Sequence, residues 1–271
     1  MKRVVIGYLS SGYVKINCLK NFLYNFKRFN PGYPYELVIC FKKLNRVEKE
    51  KRLKLLKNMK VEIFFDENEK NDHEWGTLKR LCELKKNRII FWMNDHGYPN
   101  KKNWLKIMMK HYKRNRFLGT SGSCSSHLSN SLYRDKADNY LYAFLKMIYF
   151  FFTVPKFPNC HVRTNGFIIK SNDFLEFIQD KVVNSKLKSY LIESGYNSLT
   201  NFFLKKKYNV LIINKNGKKF ELNKMKNSQT FAYGKQNSFL ISDNHIRKYL
   251  AFSYRDKLIK SKQVWGKKFF E

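Results

Sequence analysis

Arg88-Ile89-Ile90-Phe91-Trp92-Met93-Asn94-Asp95-His96-Gly97-Tyr98-Pro99 is the most informative stretch of this chain. Residues 89–93 form a short apolar run, and an amide and a carboxylate follow at once. Such a run, bounded by turn residues, reads as a buried strand. Working outward, residues 3–8, 36–40 and 61–65 repeat the pattern. Between them, 16–29, 46–56 and 75–84 carry apolar residues at helical spacing. Asn30-Pro31-Gly32-Tyr33-Pro34 closes the first of these helices. Strand and helix alternating at these lengths imply an α/β fold with a mostly parallel sheet and right-handed crossovers. Ligands of such sheets bind beyond the carboxyl ends of the strands, and Asn94-Asp95 stands at one of those ends.

The second half is less regular. A helix is expected over 104–112 and a strand over 117–120, followed by the small residues Ser121-Gly122-Ser123-Cys124-Ser125-Ser126. Further strands are expected over 162–169 and 210–213, and helices over 173–178 and 198–206. Residues 140–154 are nearly all aromatic or aliphatic, broken by Lys146. As a helix this segment measures about 22 Å, short of the ~30 Å hydrocarbon core of a bilayer. Burial, contact with a partner, or lying in the interface of an anionic membrane are its three readings. Neither a repeat nor a Pro/Gly/Ser linker divides the chain. One domain is expected over 1–230, with a C-terminal tail, 231–271, packing on it.

Composition narrows the partners. With 271 residues, 43% of them hydrophobic and 17% aromatic, the chain has a real core and is not disordered throughout. Fifty-four basic against 21 acidic residues give a net charge of +33. Such a field favours an anionic partner: a nucleotide, a polyphosphate, a membrane surface or a nucleic acid. The basic residues are spread along the chain, as a biased composition also produces. Five cysteines, Cys18, Cys40, Cys82, Cys124 and Cys160, include no Cys-x-x-Cys pair. Neither a zinc ribbon nor a disulfide framework is expected, and a reducing, cytoplasmic compartment fits. The N-terminus reads as a first strand, with too short an apolar run for a signal peptide.

Three constellations are candidates for chemistry. Asn94-Asp95 puts a carboxylate at the carboxyl edge of the sheet, where it can hold a divalent cation bridging a diphosphate; the same pair also simply turns a chain after a strand. Pro158-Asn159-Cys160-His161-Val162-Arg163-Thr164-Asn165-Gly166 gathers polar groups at the start of an apolar strand. Arg163 suits bidentate pairing with phosphate oxygens, whereas a lone histidine such as His161 is also a common packed residue. Glu193 is the one acidic residue between Asp180 and Glu221, among many lysines, and reads as lying just ahead of a helix. A carboxylate so placed suits a general base or merely neighbours a helix cap. No Walker-type loop and no Gly-x-Gly-x-x-Gly after the first strand occur, and His73-Glu74 lacks the second histidine of a zinc protease. The segment 119–126 either wraps a phosphate or sugar with its amides or is a plain turn.

The order of these segments resembles the inverting, family-two-like glycosyltransferases of GT-A fold. Phe91-Trp92-Met93-Asn94-Asp95 with Trp104-Leu105 looks like their fourth strand and metal-carboxylate region. Arg163-Thr164-Asn165-Gly166-Phe167-Ile168-Ile169 followed by Asp173-Phe174-Leu175 looks like their acceptor-side strand, and Glu193-Ser194-Gly195 stands where their catalytic Glu-Asp opens a helix. A set of bacterial and viral polysaccharide glycosyltransferases is similar over nearly the whole chain. That set also shares Gly7-Tyr8-Leu9-Ser10, Trp75-Gly76-Thr77, Gly119-Thr120-Ser121-Gly122, Phe231-x-x-Gly234-x-Gln236 and Ser242-Asp243-Asn244.

The resemblance implies a nucleotide-binding half over 1–120 and an acceptor-binding half over 121–230, with an aromatic insertion at about 129–157. It implies Glu193 as catalytic base, and Tyr8, Asp66, Asp72, Trp75, Asn94 and Asp95 toward a nucleotide-sugar donor. His161, Arg163 and Asn165 would face the acceptor or phosphates, and Asp95 would hold Mg²⁺ or Mn²⁺. The implied acceptor is a glycan or a lipid-linked glycan, with an anionic membrane surface as a further candidate partner and no nucleic acid. The sequence departs from the family in having one carboxylate in Asn94-Asp95-His96 where Asp-x-Asp is usual, and Glu193-Ser194 in place of Glu-Asp. Phe41-Lys42-Lys43 stands where an acidic residue often reads the base, and Asp66, Asp72 or Glu74 after the third strand are the expected substitutes. The rival readings are an inactive transferase-like binding protein and a basic nucleic-acid-binding protein.

Overall fold

A computed structural model describes residues 3–68, 71–131 and 140–266. Parts of the expected aromatic insertion and the end of the expected tail fall outside these residues. The first half alternates as expected: β1 (Val4–Ser11), α1 (Asn17–Arg28), β2 (Tyr35–Lys42), α2 (Arg46–Leu56), β3 (Glu62–Asp66), α3 (His73–Leu84) and β4 (Ile89–Met93). A short strand β5 (Tyr98–Pro99), helix α4 (Trp104–His111), strands β6 (Arg116–Gly119) and β7 (Gly122–Ser123), and helices α5 (His127–Ser131) and α6 (Tyr140–Thr153) follow. Then come β8 (His161–Val162), β9 (Phe167–Lys170), α7 (Ser171–Ile178), α8 (Lys186–Ser194), α9 (Leu199–Lys205), β10 (Asn209–Ile213) and β11 (Lys219–Glu221). A 3-10 turn (Leu222–Ser228), β12 (Ile241–Ser242), α10 (Asn244–Ala251) and α11 (Tyr254–Trp265) complete the described chain.

The main sheet has the order β11-β10-β6-β9-β4-β1-β2-β3. β3, β2, β1 and β4 are mutually parallel, as are β6 and β10. β9 is antiparallel to both β4 and β6, so those two blocks point the same way. β1 is buried along its whole length, as a central strand covered on both faces must be.

Alternation divides the core in two. Val5, Leu9, Ile90, Trp92, Phe167 and Ile212 face α3, α7, α9 and the C-terminal helices. Val4, Ile6, Tyr8, Phe91, Met93 and Ile213 face α1 and α4. α1 meets the sheet through Leu19, Phe22, Leu23 and Phe26, the i, i+3, i+4, i+7 stripe of an amphipathic helix. Burying one such Phe contributes about 1.5–3 kcal/mol.

Three expectations are corrected. The strand expected over 162–169 is two strands, β8 and β9, parted at residues 163–166. Gly166 turns the chain at φ +80, and a Cβ there would lie 2.5 Å from Thr120 Oγ1, so the break requires glycine. Glu193 does not stand in the loop that opens α9: it lies in the last turn of the preceding helix α8, which the periodicity did not announce. Leu187, Tyr190 and Leu191 pack on α6 while Ile192 enters the main core, so the apolar residues of α8 do not form one stripe. Finally, Cys124 and Cys160 form a disulfide. Their spacing carries no signature. They meet because β7 and β8 pair antiparallel, Gly122 opposite Val162 and Ser123 opposite His161, which brings the next residue of one beside the preceding residue of the other.

Candidate functional site

The carboxyl ends of β1, β2 and β4, the break before β9, the last turns of α8 and the C-terminal segment enclose a cavity of about 670 Å³. Asn94, Asp95, His161, Arg163, Asn165 and Glu193 all line it. The two carboxylates singled out from distant parts of the sequence therefore share one cavity. Tyr8, Asp66, Asp72 and Trp75, expected at the donor, are not among its lining residues.

Each of these four supports a lining residue instead. Tyr8 is buried against Phe22 and donates its hydroxyl to the Asp95 carbonyl oxygen at 2.7 Å. Trp75 donates Nε1–H to Ser189 Oγ at 3.0 Å. Asp66 is buried at the end of β3, where it accepts from Arg80 Nε and Nη2, each at 2.7 Å, and pairs with Lys42 Nζ at 3.2 Å. Burial pushes its carboxyl up, but Arg80, Thr77 and Lys42 outweigh burial and hold it below the usual range. Asp72 pairs with the same Lys42 and with Arg80. Together they fix Lys42, whose side chain reaches the cavity wall.

Asp95 is held at both oxygens. Ser11 N–H donates to Oδ1 and Ser11 Oγ–H to Oδ2, each at 2.8 Å. Burial raises its pKa to about 6, against the pull of these two bonds and of Arg52. Asn94 spends its Oδ1 on the turn, accepting from His96 N–H at 3.2 Å. Gly97 follows because a Cβ there would sit 2.4 Å from Asn165 Oδ1.

Glu193 Oε1 accepts from Thr164 N–H at 3.4 Å, which ties the end of α8 to the break before β9. Glu74, at the start of α3, is half-buried in the same wall; burial, then Glu193 and Asp95, raise its pKa to about 8. At neutral pH it is a proton donor. His161 is buried beside Glu193 and bonds the Asn159 carbonyl through Nδ1 at 2.7 Å. Burial lowers its pKa despite the nearby Glu193 charge. His127, stacked on Tyr190 at 4.3 Å, is likewise pushed down by burial, to about 4.

The cationic side is built by the C-terminal segment. Arg163 Nη1 pairs with Asp243 Oδ2 at 2.9 Å, and its guanidinium carbon lies 3.7 Å from the Phe231 ring centroid. Asp243 also caps α10, accepting from Ile246 N–H at 2.7 Å. Lys260 of α11 reaches the cavity, and burial, then Arg163 and Lys248, lower its pKa. The charges that act on it most are cations, an arrangement that suits an anionic ligand.

Lys260, Lys186, Ser11 and Tyr13 were not reached from the sequence. Lys186 and Lys260 lie in stretches dense with lysine and carry no distinguishing pattern. Glu74, expected with Asp66 and Asp72 as a substitute for the acidic residue that reads the base, is the one of those three that lines the cavity. Phe231, Asp243 and Asn244, by contrast, belong to motifs quoted above, and all three line the cavity.

These residues do not compose a metal centre of their own. Among the described residues no three His, Cys, Asp or Glu side chains converge on a common point. Asp95 is a single carboxylate whose two oxygens already accept from Ser11.

No family model matches this chain, and no curated protein matches it. Solved structures do align. A structure of GalNAc-T7 with UDP, GalNAc and Mn²⁺ is 14% identical over 43% of this chain and 22% of that one, at a TM-score of 0.35. The mannosyltransferase PcManGT from Pyrobaculum calidifontis, in complex with GDP-Man and Mn²⁺, is 11% identical over 43% and 34%, at 0.36. HddC from Yersinia pseudotuberculosis is 10% identical over 74% and 96%, at 0.41. The chain thus spans well under half the length of the first two. At these identities and TM-scores no chemistry transfers from any of the three.

Proposed function

We propose that this chain is a glycosyltransferase of GT-A type, moving a sugar from a nucleoside diphosphate to a hydroxyl of a glycan or lipid-linked glycan. What supports the reading is the meeting of Asp95 and Glu193 in one cavity at the carboxyl edge of the sheet, beside Arg163, Lys186 and Lys260. An isolated catalytic carboxylate needs an acceptor hydroxyl; a cluster of cations needs an anionic leaving group. A nucleotide sugar supplies the second and its acceptor the first.

In this reading Tyr13, exposed at the mouth, offers its ring to the base. Arg163 and Lys260 take the diphosphate, where their charge stabilises the leaving group as it forms. Glu193 accepts the proton of the acceptor hydroxyl while that oxygen attacks the anomeric carbon. The bond from that carbon to the diphosphate breaks with its electron pair going to the nucleotide, and the configuration inverts. Thr164 N–H orients Glu193, and Glu74, holding its own proton, stands in the same cavity wall. Asp95, fixed by Ser11, receives the sugar hydroxyls.

A thermal-shift panel of nucleotide sugars, with and without Mn²⁺, tests the proposal. A true donor at about 100 times its Kd adds about 2.7 kcal/mol of stability. If no nucleotide sugar shifts the melting temperature in either condition, the proposal fails. A donor that acts only with Mn²⁺ restores the cation expected at Asp95.

A further inference from the structure

α6 is apolar on two opposite sides, and only one of them is used by the fold. Phe150 and Val154 are buried against Leu128, with Leu187, Tyr190 and Leu191 of α8 and Met147 packed around them. On the other side Phe144, Leu145, Ile148, Phe151 and Phe152 face outward, from 39% exposed at Ile148 to 72% at Phe152. At about 100° per residue these five span a stripe about 120° wide, roughly opposite Phe150 and Val154. A helix that merely packs on a globular domain turns polar residues to water. This one turns three phenylalanines, a leucine and an isoleucine, and a continuous exposed apolar patch marks a docking surface.

Charge selects the occupant. From residue 139 to residue 172 the sequence holds no Asp or Glu, so no acidic side chain of α6 or of the segment after it opposes an anionic surface. Lys146 Nζ stands 5.9 Å from the Tyr142 ring centroid and 5.8 Å from that of buried Phe150, so it lies toward the inner side of the helix and not on the stripe. Lys156 Nζ stands 5.6 Å from the Phe151 ring, at the edge of the apolar stripe. A lysine stem alongside an aromatic ring, at the edge of an apolar stripe with no acidic neighbour in sequence, fits the boundary between acyl chains and anionic headgroups. A helix of 14 residues is too short to span, and none of the described helices is long and apolar enough to do so.

We propose that α6 is an interfacial docking helix for an anionic lipid surface. Its aromatic stripe enters the headgroup boundary and Lys156, just after it, pairs with lipid phosphates. The placement also bears on the cavity. His127 and Tyr190, which line it, pack against the inner side of α6. A bilayer on the outer side therefore lies one helix away from the mouth. That consequence, delivery of a lipid-carried acceptor, rests on the transferase reading; the docking itself does not.

Co-sedimentation of the whole chain with vesicles, with no nucleotide present, tests it. The chain is expected to bind phosphatidylcholine vesicles containing a third phosphatidylglycerol, weakly or not at all pure phosphatidylcholine, and less as salt rises. The variant F144S/F151S/F152S is expected to lower vesicle partitioning more than about tenfold. K156E is expected to lower it on anionic vesicles only. Unchanged melting of both variants, and an unchanged nucleotide-sugar shift, separates loss of docking from loss of fold or of catalysis. No vesicle binding by the wild type overturns the proposal. So does light scattering showing a dimer that F144S/F151S/F152S converts to monomer with vesicle binding unaltered, because the stripe then belongs to a second copy.

Discussion

Asp95 and Glu193 are held by backbone amides from elsewhere in the chain, Ser11 N–H and Thr164 N–H respectively. That is how a site keeps its geometry when its members come from separate elements. In the proposed reaction Glu193→Gln keeps the shape and removes the base. Transfer is expected to fall by about 10²–10⁴, with donor affinity by calorimetry nearly unchanged; retained turnover would remove Glu193 from that role. Glu74 gives a prediction independent of substrate. Its folded pKa of about 8 lies above its ordinary 4.5. Between those values the unfolded chain binds fewer protons than the folded one, so stability falls as pH rises through the window. Glu74→Gln removes this dependence. Its melting temperature is expected to match the wild type near pH 4.5 and exceed it near pH 8, measured as paired thermal melts across the range.

At the scale of elements, the site depends on where helices and strands stop. β1 stops at Ser11, β4 at Met93 just before Asn94-Asp95, α8 just after Glu193, and β9 starts only after the Gly166 turn. α10 is capped by Asp243, one carboxylate serving two ends: Oδ1 caps the helix and Oδ2 binds Arg163 and Asn165. Burial pushes this carboxyl up, but Arg163 and the Ile246 N–H outweigh it and hold it low. Asp243→Ala leaves the Arg163 guanidinium buried without its partner, an expected loss of about 3–5 kcal/mol. Asp243→Asn keeps an N-cap of comparable strength. Urea unfolding of both variants distinguishes the cap from the ion pair: the two should differ, with Asn the milder.

At the scale of the molecule, the C-terminal segment is joined to the sheet's core. Val264 and Trp265 of α11 share one buried cluster with Val5, Trp92 and Ile212, and Trp265 Nε1–H donates to the Phe231 carbonyl at 3.1 Å. Trp265→Ala is expected to cost about 3–5 kcal/mol. Because Phe231 stacks on Arg163, the same change is expected to weaken nucleotide-sugar binding, which the thermal-shift panel would register. The net charge of +33 is a property of this scale too. It draws anions to the molecule as a whole, while the cavity and the α6 stripe decide which anion binds where.

Periodicity by itself was enough for β1 to β4 with the helices between them, because a strand buried on both faces and an amphipathic helix each leave a repeating apolar pattern. It also put Asn94-Asp95 at a strand's end, since that position follows from where the apolar run breaks. Glu193 as the end of α8, the division of β8 from β9 and the Cys124–Cys160 bond were decided only by packing between distant segments. So was the commitment of Asp66 and Asp72 to Lys42 and Arg80, and so were the contributions of Lys186 and Lys260. A side chain's neighbours across the sheet leave no trace in its neighbours along the chain, and one lysine among many becomes distinctive only when the fold surrounds it with other cations.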